Sequence, residues 1–164
     1  MIEKLKLRLS PHFTLGEMCK TSVKLENAPN EAQVENLKRL CGWLERLRTR
    51  ASPSPSEGRD VEGRIVEGRD VETPIIINSG FRSPQVNRAV GGAANSNHLT
   101  GCAVDIRCEG REQAIRYASI LLDISDERQE PFDELLIEQS AKSIWVHFAV
   151  KPGGNRRRIE FLKV

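Results

Sequence analysis

The sequence predicts an α+β fold, an antiparallel sheet with flanking helices, and three observations lead to that class. Apolar residues recur at helical spacing over 30–50 and again over 111–124. Three short apolar segments crowd the last third of the chain, separated by turn-forming residues. A run of isoleucines at Pro74–Asn78 reads as one further buried strand, so strands and helices are mixed around one sheet.

At 164 residues the chain has the size of one domain, with enough material to bury a core without disulfide or metal staples, and a monomer is expected. Its 25 basic and 23 acidic residues leave a net charge of +2, too small a field to argue for a polyanionic partner. Cys19, Cys41, Cys102 and Cys108 are too few and too scattered for a disulfide scaffold and form no CxxC pair, so they read as reduced thiols. The opening MIEKLKLRLSPHF has no signal-peptide apolar run, and nowhere do about 18 apolar residues occur in succession. A protein made in the cytoplasm, without a membrane span, is the expectation.

In chain order, residues 9–29 mix Pro, Gly, Thr and Asn with scattered apolar side chains, which predicts irregular structure with a short helix near Leu15–Lys20. Over 30–50, Asn30 is placed to cap and Gln33 to complete a capping box. Val34, Leu37, Cys41, Leu44 and Leu47 form the apolar face. Residues 51–72 open with Ala-Ser-Pro-Ser-Pro-Ser and then repeat EGRDV, EGRIV and EGRDV. Low complexity and alternating charge mark a linker or long loop inserted in the domain, or a β-hairpin arm, without chemistry of its own. Strand Pro74–Asn78 leads into the turn-rich SGFRSPQVN. Helix 111–124 places Ala114, Tyr117, Ala118, Leu121 and Leu122 on one side. Asp133–Gln139, Ile144–Val150 and Arg157–Leu162 then read as three strands of an antiparallel meander, joined by Ser/Lys and Pro-Gly-Gly-Asn turns.

With only three histidines, each can be weighed separately. His98 stands in Ser-Asn-His-Leu-Thr-Gly-Cys-Ala-Val-Asp, where Gly101 and Ala103 let a loop enter a closely packed strand, so that His98 and Asp105 can converge. Strand parity puts Asp105 on the face of Ala103 and Arg107, opposite Cys102, Val104 and Ile106. His147 sits inside Ile-Trp-Val-His-Phe-Ala-Val, where a buried imidazole needs a partner. Each of the three has an ordinary structural reading when taken alone. Together they supply two imidazoles and a carboxylate, the ligand count of a catalytic zinc site that keeps a fourth position for water.

An activated water also needs a base. If the turn falls at Ser140–Ser143, Leu136 pairs with His147 and Glu138 with Trp145. Glu138 and Glu134 are then both diagonal neighbours of His147, about 7 to 8 Å away. Pairing alone does not separate these two carboxylates. Arg82, at the turn after the isoleucine strand, is placed to grip a carboxylate or polarise a carbonyl, with a plain surface arginine as the alternative. His12 has no ligand companion nearby and reads as structural.

These residues carry a resemblance. SNHLTGCAVDI resembles the SxHxxGxAxD signature of the zinc D-alanyl-D-alanine carboxypeptidases and related phage endolysin peptidases. INSGFRSPQVN is similar to that family's SGxRSPxxN segment, and IWVHFAV to its WVHxS strand. FTLGEM and NAPNEAQVENLKRL resemble the opening of one subgroup, so the likeness covers nearly everything except 51–72. The resemblance implies the hedgehog/DD-peptidase fold, Zn2+ on His98, Asp105 and His147, a substrate-gripping Arg82, and Ser96 as a hydroxyl supporting the ligands or touching substrate. It also implies zinc-dependent hydrolysis of an amide bond in peptidoglycan stem or cross-link peptides, of the D,D-carboxypeptidase or endopeptidase type. Several branches of the family carry an acidic base three residues before the last histidine, where this chain has Ile144. A segment similar to FDELLIE precedes that histidine in the subgroup, which favours Glu138 over Glu134 as the base.

A different class remains open, a non-catalytic metal-bearing module that binds peptidoglycan or a protein partner. Nucleic-acid binding through Lys151 and Arg156–Arg158 is disfavoured, because adjacent arginines at a strand start project to alternating faces. With no signal peptide and no separate wall-binding segment, action on the wall after release or export, in phage or prophage lysis, is the expected setting.

Overall fold

The computed structural model describes residues 6–52, 57–59, 65–67 and 73–164. Residues 1–5 of the opening segment and most of the 51–72 insertion lie outside these ranges. Helix α1 (Leu15–Met18) starts at a reciprocal cap, with Thr14 Oγ1 accepting from the Glu17 amide and the Glu17 carboxylate accepting from the Thr14 amide. Helix α2 (Glu31–Ala51) starts the same way. Asn30 Oδ1 accepts from the Gln33 amide at 2.9 Å, and Gln33 Oε1 from the Asn30 amide at 2.8 Å, so two amides that the helix leaves unpaired are satisfied. Leu37, Leu40, Cys41, Trp43, Leu44 and Leu47 form its buried stripe.

Strands β1 (Glu57–Arg59) and β2 (Ile65–Glu67) pair antiparallel as a separate two-stranded sheet within the repeats. Strand β3 is Ile77–Ser79, starting three residues later and ending one later than the isoleucine run suggested. Ile75 and Ile77 are buried while Ile76 is exposed, so the run alternates rather than being buried throughout. The turn-rich segment after it contains helix α3 (Pro84–Ala89), which the sequence reading passed over. Ser83 caps it and Pro84 opens it, a start for which proline's fixed φ and missing N–H are suited. A 3-10 turn (Asn97–Thr100) leads into β4 (Ala103–Cys108). Helix α4 (Arg111–Arg128) runs beyond the predicted end at 124, and β5 (Glu134–Gln139), β6 (Ile144–Ala149) and β7 (Arg158–Lys163) complete the chain.

The main sheet has the order β3-β4-β6-β5-β7 and is antiparallel except at one edge. The expected meander is corrected there, because β7 pairs parallel with β5, Arg158 beside Glu134 and Lys163 beside Gln139. The reason is topological. Both edges of β6 are occupied, by β4 and β5, and β6 ends beside the start of β5. Residues 151–157 have only to step around that end of the sheet, so β7 begins where β5 begins and runs with it.

Side-chain alternation gives the sheet two unlike faces. Val104, Ile106 and Cys108 of β4, Val146 and Phe148 of β6 and Leu135 of β5 join the core under α2 and α4. Trp43 of α2 meets Phe148 there with ring centroids 5.1 Å apart. Asp105 and His147 point from the other face. No helix among the described residues is long and apolar enough to cross a membrane.

Candidate metal centre

His98 is set by the short turn that carries it. Ser96 Oγ accepts from the His98 amide, Gly101 closes the turn with φ +71°, and α2 clamps it from behind. Gln33 Nε2 donates to the Leu99 carbonyl and Asn36 Nδ2 to the Thr100 carbonyl, each at 2.9 Å. A Cβ on Gly101 would lie 2.7 Å from the Gln33 carbonyl oxygen, so this close approach needs glycine. The imidazole is turned by its outer nitrogen, since Nδ1–H donates to the Gly80 carbonyl at 2.6 Å, which directs Nε2 inward.

Asp105 and His147 are direct cross-strand partners on β4 and β6. Asp105 Oδ1 lies 2.8 Å from His147 Nδ1 and 3.3 Å from His98 Nε2. One donor atom from each of the three residues falls within 4.8 Å of the others, and the residues are only 2%, 7% and 7% exposed for His98, Asp105 and His147. Two nitrogens and one oxygen suit zinc. Donors about 2.0 to 2.1 Å from a tetrahedral zinc ion are about 3.3 Å apart, the separation His98 and Asp105 already have, while His147 and Asp105 stand closer. Burial opposes ionisation of Asp105, but the charge of His98 and the hydrogen bonds from His147 and His98 outweigh it and hold the carboxyl well below its usual range. At His147 burial works against the charged ring, yet the hydrogen bonds to Asp105 and Glu134 raise its pKa. Asp105 is thus held ionised, the form in which a carboxylate ligates a cation.

Arg82 is brought to the centre by the turn after β3. Its Nη2 donates to Asp105 Oδ2 at 2.5 Å and its Nε to Ser79 Oγ at 2.7 Å, while its backbone amide donates to the His98 carbonyl. The guanidinium therefore holds the carboxylate oxygen that faces away from the two imidazoles. Ser96 is present as the cap of the 3-10 turn.

The two candidate bases diverge although the predicted β5–β6 register is the one observed. Glu138 Oε2 accepts from Trp145 Nε1 at 2.6 Å, beside His147 on the same face. Glu134 Oε2 lies 3.3 Å from His147 Nε2, the ring nitrogen directed away from Asp105. Its carboxyl is lowered to about 2, chiefly by that hydrogen bond, with burial opposing and Asn97 and Arg156 assisting. His12 lies elsewhere, with Nδ1 2.7 Å from Glu45. The Cys102 thiol is buried near the Thr100 carbonyl.

Sequence reasoning assigned nothing to Trp145, Asn97, Asp133 or the Gly80 carbonyl. Trp145 was legible, since the register placed it opposite Glu138. Asn97 donates from Nδ2 to both Asp133 (2.8 Å) and Glu134 (2.9 Å), a junction between the histidine turn and β5 that only the tertiary structure reveals.

A mostly antiparallel sheet with flanking helices, bearing a buried His–Asp–His set on the face opposite the core under α2 and α4, is an architecture able to hold a catalytic metal. The family model described as Peptidase M15 matches residues 66–147, half of the chain, and that span contains all three donors together with Arg82, Glu134 and Glu138. The chain belongs to the Peptidase M15 family. No curated protein matches it.

Proposed function

We propose that the protein is a zinc-dependent peptidase that hydrolyses an amide bond in the stem or cross-link peptides of peptidoglycan. The observation that carries this reading is the donor set itself: three ligand atoms from three buried residues within 4.8 Å of one another, in an M15 domain. His98, Asp105 and His147 would hold the ion. When bound, zinc supplies Lewis acidity, which lowers the pKa of water and polarises a carbonyl.

The protein's own groups then divide the remaining work. Glu138, aimed by the Trp145 indole, accepts a proton from the attacking water and delivers it to the amine nitrogen as the C–N bond breaks. The water's oxygen stays on the acyl carbon as the new carboxylate. Arg82 fixes the second oxygen of Asp105 and keeps its remaining N–H groups for a substrate oxygen or carboxylate. Ser96 keeps His98 in place by capping its turn.

The test is mass spectrometry of purified peptidoglycan fragments after incubation with the zinc-loaded protein. New amine and carboxylate termini identify the bond and separate carboxypeptidase from endopeptidase cleavage. Glu138→Gln is expected to retain zinc and lose activity by roughly 10²- to 10⁴-fold. Zinc binding and wall binding without any new terminus would instead establish a non-catalytic module.

A further inference from the structure

Four side chains donate to the Glu134 carboxylate. Oε2 accepts from Asn97 Nδ2 at 2.9 Å and from His147 Nε2 at 3.3 Å, and Oε1 accepts from Arg156 Nη2 at 2.8 Å and Arg158 Nη1 at 3.3 Å. Arg156 also reaches the neighbouring Asp133, through Nε at 2.8 Å and Nη2 at 2.6 Å, and Asn97 bridges the same two acids. Asp133 is fully buried and takes a further contact from Lys151 Nζ at 2.9 Å. These cations all come from residues 151–158, after the last residue of the family match.

From this geometry we infer that Glu134 is a positioning residue for the metal ligand His147, and that the C-terminal segment acts as the brace that holds it there. The inference rests on the zinc reading above. With the ion bound, Nδ1 and Asp105 would both be turned to it, and because a carboxylate can only accept, Glu134 would hold the ring's remaining hydrogen on Nε2 and keep Nδ1 on the side of Asp105 and His98. Without Glu134 the ring could carry its hydrogen on either nitrogen and turn about its χ2 bond. The contacts from Arg156, Arg158 and Asn97 prevent the carboxylate itself from turning away. Glu134 consequently acts through His147, and proton transfer is left to Glu138.

The experiment measures zinc dissociation constants by competition with a chromophoric chelator, and the visible absorption of the cobalt-substituted protein, for wild type, Glu134→Ala, Glu134→Gln, Arg158→Ala and the control Glu127→Gln. Circular dichroism and thermal melting of each metal-free protein establish that it is folded. Glu134→Ala is expected to weaken zinc binding by about 10- to 100-fold and to alter the cobalt ligand-field bands. Glu134→Gln, whose amide oxygen still accepts from Nε2–H, is expected to lose less, and Arg158→Ala to show a smaller loss of the same sign. The control, a surface carboxylate paired with Arg50, is expected to match wild type. Folded Glu134 variants with wild-type zinc affinity and an unchanged cobalt spectrum would overturn the inference and leave the peptidase reading standing. A wild-type protein that binds no zinc would overturn both.

Discussion

Trp145 and Glu138 face each other across the β5–β6 pair, and the indole Nε1–H donates to the Glu138 carboxylate at 2.6 Å. The contact fixes which way the proposed base points, because an indole nitrogen can donate and never accept. Trp145→Phe keeps the ring and deletes the donor. Its kcat is expected to fall by at least about tenfold, the worth of a hydrogen bond to a charged group, with zinc affinity unchanged. Wild-type turnover in this variant, measured on the fragment identified by mass spectrometry, would show that the indole does not aim the base.

Gly80 has a second duty besides offering its carbonyl to His98. A Cβ at this position would stand 2.3 Å from the Met18 carbonyl oxygen, which itself accepts from the Phe81 amide at 2.7 Å. Gly80→Ala is therefore expected to push β3's exit away from α1, lowering stability by roughly 2–3 kcal/mol as overpacking does. Zinc affinity should fall with it, since the carbonyl moves away from His98 Nδ1. Urea unfolding and zinc titration read the two effects separately, and an unperturbed pair of values would mean that the backbone gives way without consequence.

Asp133 predicts the shape of the acid limb of stability. Burial opposes its ionisation, but hydrogen bonds from Arg156, Lys151 and Asn97 outweigh that and hold its carboxyl well below the usual range. The folded value thus lies below the unfolded one of about 3.9, so the stabilisation is fully present above about pH 4 and is lost as pH falls through the folded value. Asp133→Asn is expected to be less stable than wild type by about 2 kcal/mol at neutral pH. The gap should narrow in acid. A gap that is constant from neutral pH down to about pH 3 would contradict the assignment.

The thiols should be quiet. Burial raises the pKa of Cys19 to about 11 and that of Cys108 to about 11, and burial together with the Glu45 charge raises Cys41 to about 12. At about pH 8 almost no thiolate is present at these three positions, and Ellman's reagent is expected to titrate them only after denaturation. More than one fast-reacting equivalent in the native protein would show that the core around them opens readily.

Much of the scaffold was legible because its signals are local. The Asn30–Gln33 capping box and the apolar spacing after it mark α2 within a residue at each end, and strand alternation correctly put Asp105 opposite the core-facing Val104 and Ile106. The β5–β6 register followed from the position of a tight turn. Helix α3 was missed although Ser83-Pro84 is a helix start, because a six-residue helix offers too little periodicity to stand out from a turn. The parallel pairing of β7 was misread because a turn-like link between strands states nothing about which edge is vacant.

For the site, the residue types of His98, Asp105 and His147 and the strand parity of Asp105 determined a candidate ligand set from the sequence, since donor chemistry and side-chain direction are properties of the residues and of short stretches of chain. What each surrounding group does was decided only by the tertiary structure. Glu134 and Glu138 are equivalent diagonals in a flat register, yet one meets the outer nitrogen of His147 and the other the indole of Trp145. Which of the two follows from long-range contacts: Asn97 from the turn before β4 and Arg156 and Arg158 from the far edge of the sheet pull Glu134 to one side. Hydrogen bonds between side chains distant in sequence depend on how the strands are ordered, and no local pattern encodes that order.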